Sequence, residues 1–420
     1  MKRLLLIVFP LLLTLSTTLL GDQPLLFLST QFVPVDEARK MREEVLGGYS
    51  GAVDFQPFDE RNTFMVLAKP GGKQRPALLG ALHGDMKSLA QQGLLAPLQN
   101  RPSDIRLIDS YLKLGRFNSG NQYYLPWIQA TYIMAANRRA LKYLPQGADI
   151  NSLSYAQLKQ WAANMHVQSG VARLGLPVGP KGLMHRFLQG YLYPSFTGGM
   201  VQTFRNSDAV LMWDYLKDLW SDINPRSLSF DSMHEPLLSE EVWVAWDHIA
   251  RLLPALEERP DDFVVFPVPA GSYGRGYMVV LGGLAIPVDA PDPEASRRLI
   301  EYLLTPQVQS STLRSVGFFP VLKELEDPEL SLSVEKFQKA VARQSSAHDA
   351  RSALLPVGLG DRAGEFNTVY KLAFSRIVLR GREVPSVLAS QAGKLNRLLA
   401  DANVACWPPD RVGDAPCTVK

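Results

Sequence analysis

Cysteine is nearly absent: the 420 residues hold two, Cys406 and Cys417, both in the proline-rich tail CWPPDRVGDAPC. The six histidines, His83, His166, His185, His234, His248 and His348, contain no HxxxH pair, so no zinc set can be assembled locally. A nucleophile elbow is missing too, since GYSGA at residues 48–52 departs from GxSxG at its last position. Gly179, Pro180, Lys181 and Gly182 set two glycines around a lysine without the spacing of a phosphate loop. Charge of one sign is lacking: 44 Lys and Arg stand against 41 Asp and Glu, a formal net charge of +3. Nothing in that balance asks for nucleic acid or an anionic membrane surface. After the first twenty residues no apolar run is long enough to cross a bilayer, and there is neither an internal repeat nor a low-complexity linker.

What is present is the composition of a globular chain, 46% hydrophobic and 20% charged, long enough for two ordinary domains or one large one. The opening MKRLLLIVFPLLLTLSTTLL has a basic start and an uncharged apolar run broken by Pro10, the pattern of a secretory signal ending near Gly21. No cysteine lies near that end, which leaves no site for a lipid anchor. In an exported protein, the two cysteines of the tail are expected to form one disulfide; a metal pair is disfavoured because no histidine is near. Closing so short a loop contributes about 2–3 kcal/mol in the chain-entropy model.

The patterning alternates between the two classes of element. Residues 24–30, PLLFLST, read as a strand, residues 35–46 as a helix with Ala38, Met41, Val45 and Leu46 inward, and residues 52–58 as a second strand. Strand, helix, strand opens an α/β domain with a crossover helix. Residues 76–82 form a buried strand that ends at His83, Gly84 and Asp85, where a new helix begins. Asp85 is thus placed at a strand's carboxyl end, where ligands collect in open α/β sheets, or simply caps the helix. A strand over residues 243–249 delivers Trp246, Asp247 and His248 at its end. Residues 279–287, VVLGGLAIP, read as a buried strand interrupted by glycines, where another backbone or a ligand approaches closely. Helices dominate from residue 334 onward.

One stretch combines a strand, a helix and a candidate site: residues 121–143, NQYYLPWIQATYIMAANRRALKY. Tyr123, Tyr124, Trp127 and Tyr132 gather around Pro126 and a lone amide, Gln129. Aromatic faces suit the apolar CH face of a sugar ring and an amide suits its hydroxyls, although rings in such numbers also build half-buried cores.

The segments LLFLSTQF, LHGDMKSLAQQGLLAPL, YYLPWIQATYIMAANRRAL, LPQGADINSLSYAQLKQWA and GGLAIPVDAPDPEASRRLIEYLLTPQVQ, in this order, resemble the extracellular solute-binding proteins of ABC importers, in the sugar-binding group that includes maltose-binding protein. The resemblance implies an α/β, two-lobed periplasmic-binding-protein fold with a ligand cleft between lobes joined by chain crossings. The first lobe would hold residues 22–129 and 287–330; the second would hold 130–286 and 331–420, with a helical C-terminal part. It places Gln31, Asp85, Trp127, Gln129, Trp246, Asp247, Gly283 and Phe366 in the cleft, with His83, Lys181, Tyr193, Tyr273 and Arg275 behind them. It further implies a periplasmic monomer that hands a carbohydrate to the transmembrane subunits of an ABC permease, with no cofactor, no metal and no catalytic group. Two alternatives stay open: a secreted glycoside-processing enzyme using Asp85 and Asp247 as its carboxyl pair, and a receptor that reports ligand occupancy to a sensor.

Overall fold

Short apolar runs separated by amphipathic helices fold into two sheets. The structure, a computed structural model, describes residues 23–58, 64, 66, 68–71, 75–98, 105–323, 325, 329–413 and 415–420. The expected leader at residues 1–21 and most of the expected helix at 61–68 lie outside the described residues. Among these, the strands are β1 (Leu25–Ser29), β2 (Val53–Pro57), β3 (Leu78–Leu82), β4 (Leu125–Ala130), β5 (Tyr132–Asn137), β6 (Leu174–Gly175), β7 (Val244–His248), β8 (Phe263–Phe266), β9 (Arg275–Ala285) and β10 (Ala350–Leu354). The first sheet runs β10-β9-β3-β1-β2 with β4 beside β9, and the second runs β6-β7-β5-β8.

β1 lies between β2 and β3, parallel to both, and the return from β1 to β2 passes through the helix Val35–Lys40. Asp36 and Glu37 in its first turn and Arg39 and Lys40 in its last oppose the helix dipole favourably. Ala38, Met41 and Val45 face the core. The expected helix over 35–46 continues from Met41 to Val45 with wider π-type turns.

A single residue, Thr131, separates β4 in the first sheet from β5 in the second. Its hydroxyl donates to the carbonyl of Met278 on β9 at 2.7 Å. Gln129 and Phe319 exchange backbone N–H···O bonds of 3.0 and 2.7 Å. Three chain segments therefore cross side by side between the lobes. Gln309, 1% exposed, braces them by donating to the carbonyls of Trp127 and Leu303 at 2.9 Å and accepting from the Val321 N–H at 3.0 Å.

The expected lobe boundary between residues 286 and 287 is corrected by β9. From Val280 to Ala285 this strand pairs with β3 and β4, so its second half belongs to the first sheet. Gly282 and Gly283 make that possible: a Cβ at Gly283 would sit 2.2 Å from the Tyr124 ring and one at Gly282 would meet Ile128 at 2.8 Å. β10, expected in the second lobe, pairs in parallel with the first half of β9.

The C-terminal helices Ala363–Phe374 and Val384–Asp401 are followed by a tail in which Cys406 and Cys417 are bonded. Asp410 within that loop accepts from the N–H groups of Met200, Val201 and Gln202 at 2.8–3.2 Å, fastening the tail to the second lobe. Among the described residues no helix is long and apolar enough to cross a membrane.

Candidate functional site

Strand direction decides which ends meet. β3 runs parallel to β1, and β3 and β4 both run against β9, so the carboxyl ends of β1, β3 and β4 share one edge of the first sheet. β5 leaves the crossing directly, and β7 runs against it with His248 opposite Tyr132. The carboxyl end of β7 thus returns to the crossing, and β6, parallel to β7, sends residues 176–181 the same way. Gln31 follows β1, Asp85 follows β3 and Gln129 lies near the end of β4, while Asp247 and His248 close β7 and Lys181 follows β6.

On the first lobe, half-buried Gln31 is held by its amide donating to the Thr30 carbonyl at 2.9 Å. Asp85, 5% exposed, sits in the first turn of the helix His83–Gln91, where a carboxylate is favoured. Gly84 beside it admits close approach: a Cβ there would lie 2.4 Å from the carbonyl oxygen of Pro356. His83 bonds through Nδ1 to the Tyr124 hydroxyl at 2.7 Å, and burial, with a smaller push from Lys87, lowers its pKa to about 3. His83 lines a cavity of about 180 Å³ with Lys87, Phe117, Trp407 and Pro408, so the disulfide tail forms its far wall. Gln129 is half-buried, donating to the Pro320 carbonyl at 2.9 Å and accepting from the Tyr111 hydroxyl at 2.5 Å.

On the second lobe, the Tyr132 ring stacks on Trp246 at 5.0 Å and meets Tyr191 and His248 edge-on. Above these rings lies a polar layer. Arg186 is hydrogen bonded to the Tyr132 hydroxyl and donates to Gln189 at 3.3 Å; Gln189 donates to Asn367 at 3.0 Å. Asp247 accepts from the N–H groups of Met233 at 2.9 Å and His248 at 2.7 Å. Burial pushes its pKa up to about 7 despite Arg251 nearby. Burial lowers His185 to about 2, helped by Arg186, Lys371 and Arg251, and His248 to about 4, helped by Arg251. These imidazoles are neutral bases held off from protonation. Arg251 donates to the carbonyl of Asp231 at 2.6 Å and more weakly to that of Lys181.

Several residues expected in the cleft are core instead. Trp127 has no exposed surface; the rings of Phe27 and Phe32 lie 5.5 and 5.2 Å from its own, inside the first lobe. Trp246 is equally shut away, with Tyr132 on one face and Phe187 at 4.9 Å. Tyr193 stacks on Phe204 and donates to its carbonyl at 2.9 Å, away from the seam. Phe366 is wedged between Tyr370 and Trp407. Gly283 serves the packing of β9 on Tyr124. Asp247 has 0% exposure, and its oxygens are engaged by backbone. Of the five residues placed behind the cleft, Tyr273 is exposed and bonded to Asp208, while Arg275 is buried beside Asp349. Lys181 is exposed.

Sequence reasoning missed Arg186, Gln189, Arg251 and Asn367. The first two were visible as polar side chains in the otherwise apolar run LMHRFLQGYLY, and Arg251 stands four positions beyond Asp247. Among the described residues no group of three or more His, Cys, Asp or Glu side chains is placed to hold a metal ion.

A family model described as "Bacterial extracellular solute-binding protein" matches residues 53–310, more than half of the chain. Solved structures similar to the chain include the GacH receptor of Streptomyces glaucescens, crystallised unliganded and with acarbose, at 17% identity and a TM-score of 0.68. The match covers 90% of this chain and 98% of that one. Maltose-bound MalE3 of T. maritima is 16% identical with a TM-score of 0.70, covering 90% and 100%. UgpB from Mycobacterium tuberculosis, in complex with glycerophosphocholine, is also 16% identical, with a TM-score of 0.68 and coverage of 90% and 99%. At these identities the structural likeness establishes a shared fold.

Proposed function

The chain belongs to the bacterial extracellular solute-binding proteins, and from that premise we propose that it captures a carbohydrate between its lobes and delivers it to the membrane subunits of an ABC importer. The observation that carries this reading is the crossing at Thr131: one residue joins the two sheets, and the carboxyl ends of β1, β3, β4 and β7 border the seam beside it. A seam hinged on three crossing segments closes around a ligand by rotating the lobes. Ligand binding energy then favours the closed form over the open one, and a permease reads the difference.

We take Gln31, Asp85, Gln129 and Lys181 as ligand contacts, and half-buried Arg186 and Asn367 join them. Amides and carboxylates exchange hydrogen bonds with hydroxyls, each bond to a charged group contributing about 1.5–3 kcal/mol. His83 belongs to the separate cavity walled by the C-terminal tail. Solved structures that hold acarbose and maltose share this fold, as does one that holds glycerophosphocholine, which supports a sugar or another polyhydroxylated solute. The protein on this reading is an exported periplasmic monomer that binds its ligand without turnover. The enzyme alternative needs Asp247 opposite Asp85 across a bond; a carboxyl with no exposed surface and two backbone N–H donors is poorly suited to that task.

Thermal unfolding of the full exported chain against mono-, di- and trisaccharides tests the reading. At least one sugar is expected to raise the melting temperature in proportion to its concentration and to be recovered unchanged. New reducing ends on incubation with oligosaccharides would favour the enzyme.

A further inference from the structure

The polar layer of the second lobe holds more positive charge than hydroxyl recognition requires. Arg186 is half-buried, and burial lowers its pKa. The guanidinium is thus partly desolvated and partly open to solvent. Its polar partners are neutral, the Tyr132 hydroxyl and the Gln189 amide, and among the described residues it forms no ion pair. Arg251, also half-buried, bonds only to backbone carbonyls of Asp231 and Lys181 and likewise forms no ion pair among the described residues. Lys371 and Arg186 join Arg251 in acting on His185, so three cations surround one neutral imidazole. The acidic member of this wall, Asp247, is turned inward onto backbone donors and is driven by burial toward its neutral form.

Burying cationic side chains without a counter-charge is costly, and a planar guanidinium with unused donors matches a carboxylate or a phosphate in bidentate geometry. We propose that the ligand is an acidic carbohydrate whose carboxylate or phosphate group is received by Arg186, with Arg251 completing the positive wall. This rests on the carbohydrate reading above and names the class of sugar it takes. Half-buried Asn367, which accepts from Gln189 at 3.0 Å, is the neighbouring group for a hydroxyl of the same ring.

The test uses the full exported chain, titrated calorimetrically with charged and neutral twins: D-glucuronate against D-glucose, D-galacturonate against D-galactose, and D-glucose 6-phosphate as the phosphate arm. At least one acidic member is expected to bind at least about 30-fold more tightly than its neutral twin, the scale of a desolvated charge pair. The carboxylate and phosphate arms then tell which anion is used. Arg186→Gln is expected to bring the acid-to-neutral ratio down to near one, and Arg186→Lys to restore part of it. Should Arg186→Gln fail to fold, Arg251→Gln, which is expected to lower the ratio several-fold, replaces it alongside the wild-type comparison. Neutral twins that bind as well as or better than the acids overturn the proposal while leaving a sugar-binding cleft in place. No binding by either member of any pair overturns this inference, while the carbohydrate reading is decided separately by the mono-, di- and trisaccharide panel.

Discussion

Replacing Trp127 by alanine is expected to damage the fold more than the ligand site. The indole has no exposed surface and touches Phe27 and Phe32 in the first lobe. The fit is tight enough that a Cβ at Gly80 would meet the Trp127 ring at 2.9 Å. Truncating a buried aromatic to alanine costs about 3–5 kcal/mol, the sum of lost transfer energy and the cavity left behind. At about 2–4 °C per kcal/mol, the melting temperature should fall by roughly 6–20 °C. The backbone carbonyl of Trp127 still accepts from Gln309, so the crossing survives and a chain held below its new melting point should bind ligand within about threefold of wild type. Trp127→Phe should keep most of the stability, because the indole N–H has no hydrogen-bond partner among the described residues to lose. The assay pairs thermal unfolding by circular dichroism with ligand titration at 20 °C or below, roughly where such domains are most stable. A melting temperature within about 2 °C of wild type, alongside a tenfold or greater loss of affinity, would refute the assignment and return Trp127 to the cleft.

Asp247 gives a pH signature. Its pKa of about 7 in the folded chain stands above the ordinary carboxyl value, so between about pH 4 and pH 7 the folded state holds a proton that the unfolded state has released. The stability this group contributes is largest below about pH 4 and declines as pH rises to about 7. Asp247→Asn should therefore gain on wild type between pH 5 and pH 8 in urea midpoints; a constant gap across that range rules the shift out. The histidines His83, His185 and His248, whose pKa values are lowered, act in the opposite direction in both chains, which is why the difference is the readout. Reduction of Cys406–Cys417, or Cys406→Ser with Cys417→Ser, should cost about 2–3 kcal/mol by loop-closure entropy, seen as a lower melting temperature in reductant. An unchanged melting temperature would mean that Asp410 and its three backbone donors hold the tail unaided. Gln309→Leu strands the carbonyls of Trp127 and Leu303 and the Val321 N–H, at about 1–3 kcal/mol for each buried group left unpaired; a loss below about 1 kcal/mol in denaturant unfolding would show that water replaces the amide.

The α/β character was legible because β1, β3 and β7 are short apolar runs and the helices between them are amphipathic, patterns that depend on local sequence. The resemblance to sugar-binding proteins put a lobe crossing after Gln129, and the two sheets are separated in the chain by Thr131. Which face of a strand meets ligand was not, because in a sheet covered on both sides consecutive residues are all apolar. Trp127 and Trp246 thus looked like cleft residues and proved to be packing, for a buried ring and a ligand platform have the same composition. The half of β9 that joins the first sheet was hidden for a related reason: its glycines signal close approach, but not of which partner. Arg186 and Arg251 were passed over since an isolated arginine ordinarily marks a solvated surface, and only the fold shows that among the described residues neither forms an ion pair.

The most direct measurement of the central claim is calorimetric titration of the full exported chain with the carbohydrate that most raises its melting temperature. The account expects saturation at one ligand per chain, with the sugar recovered intact. Absence of any heat of binding across the panel, or release of a cleaved product, would contradict it.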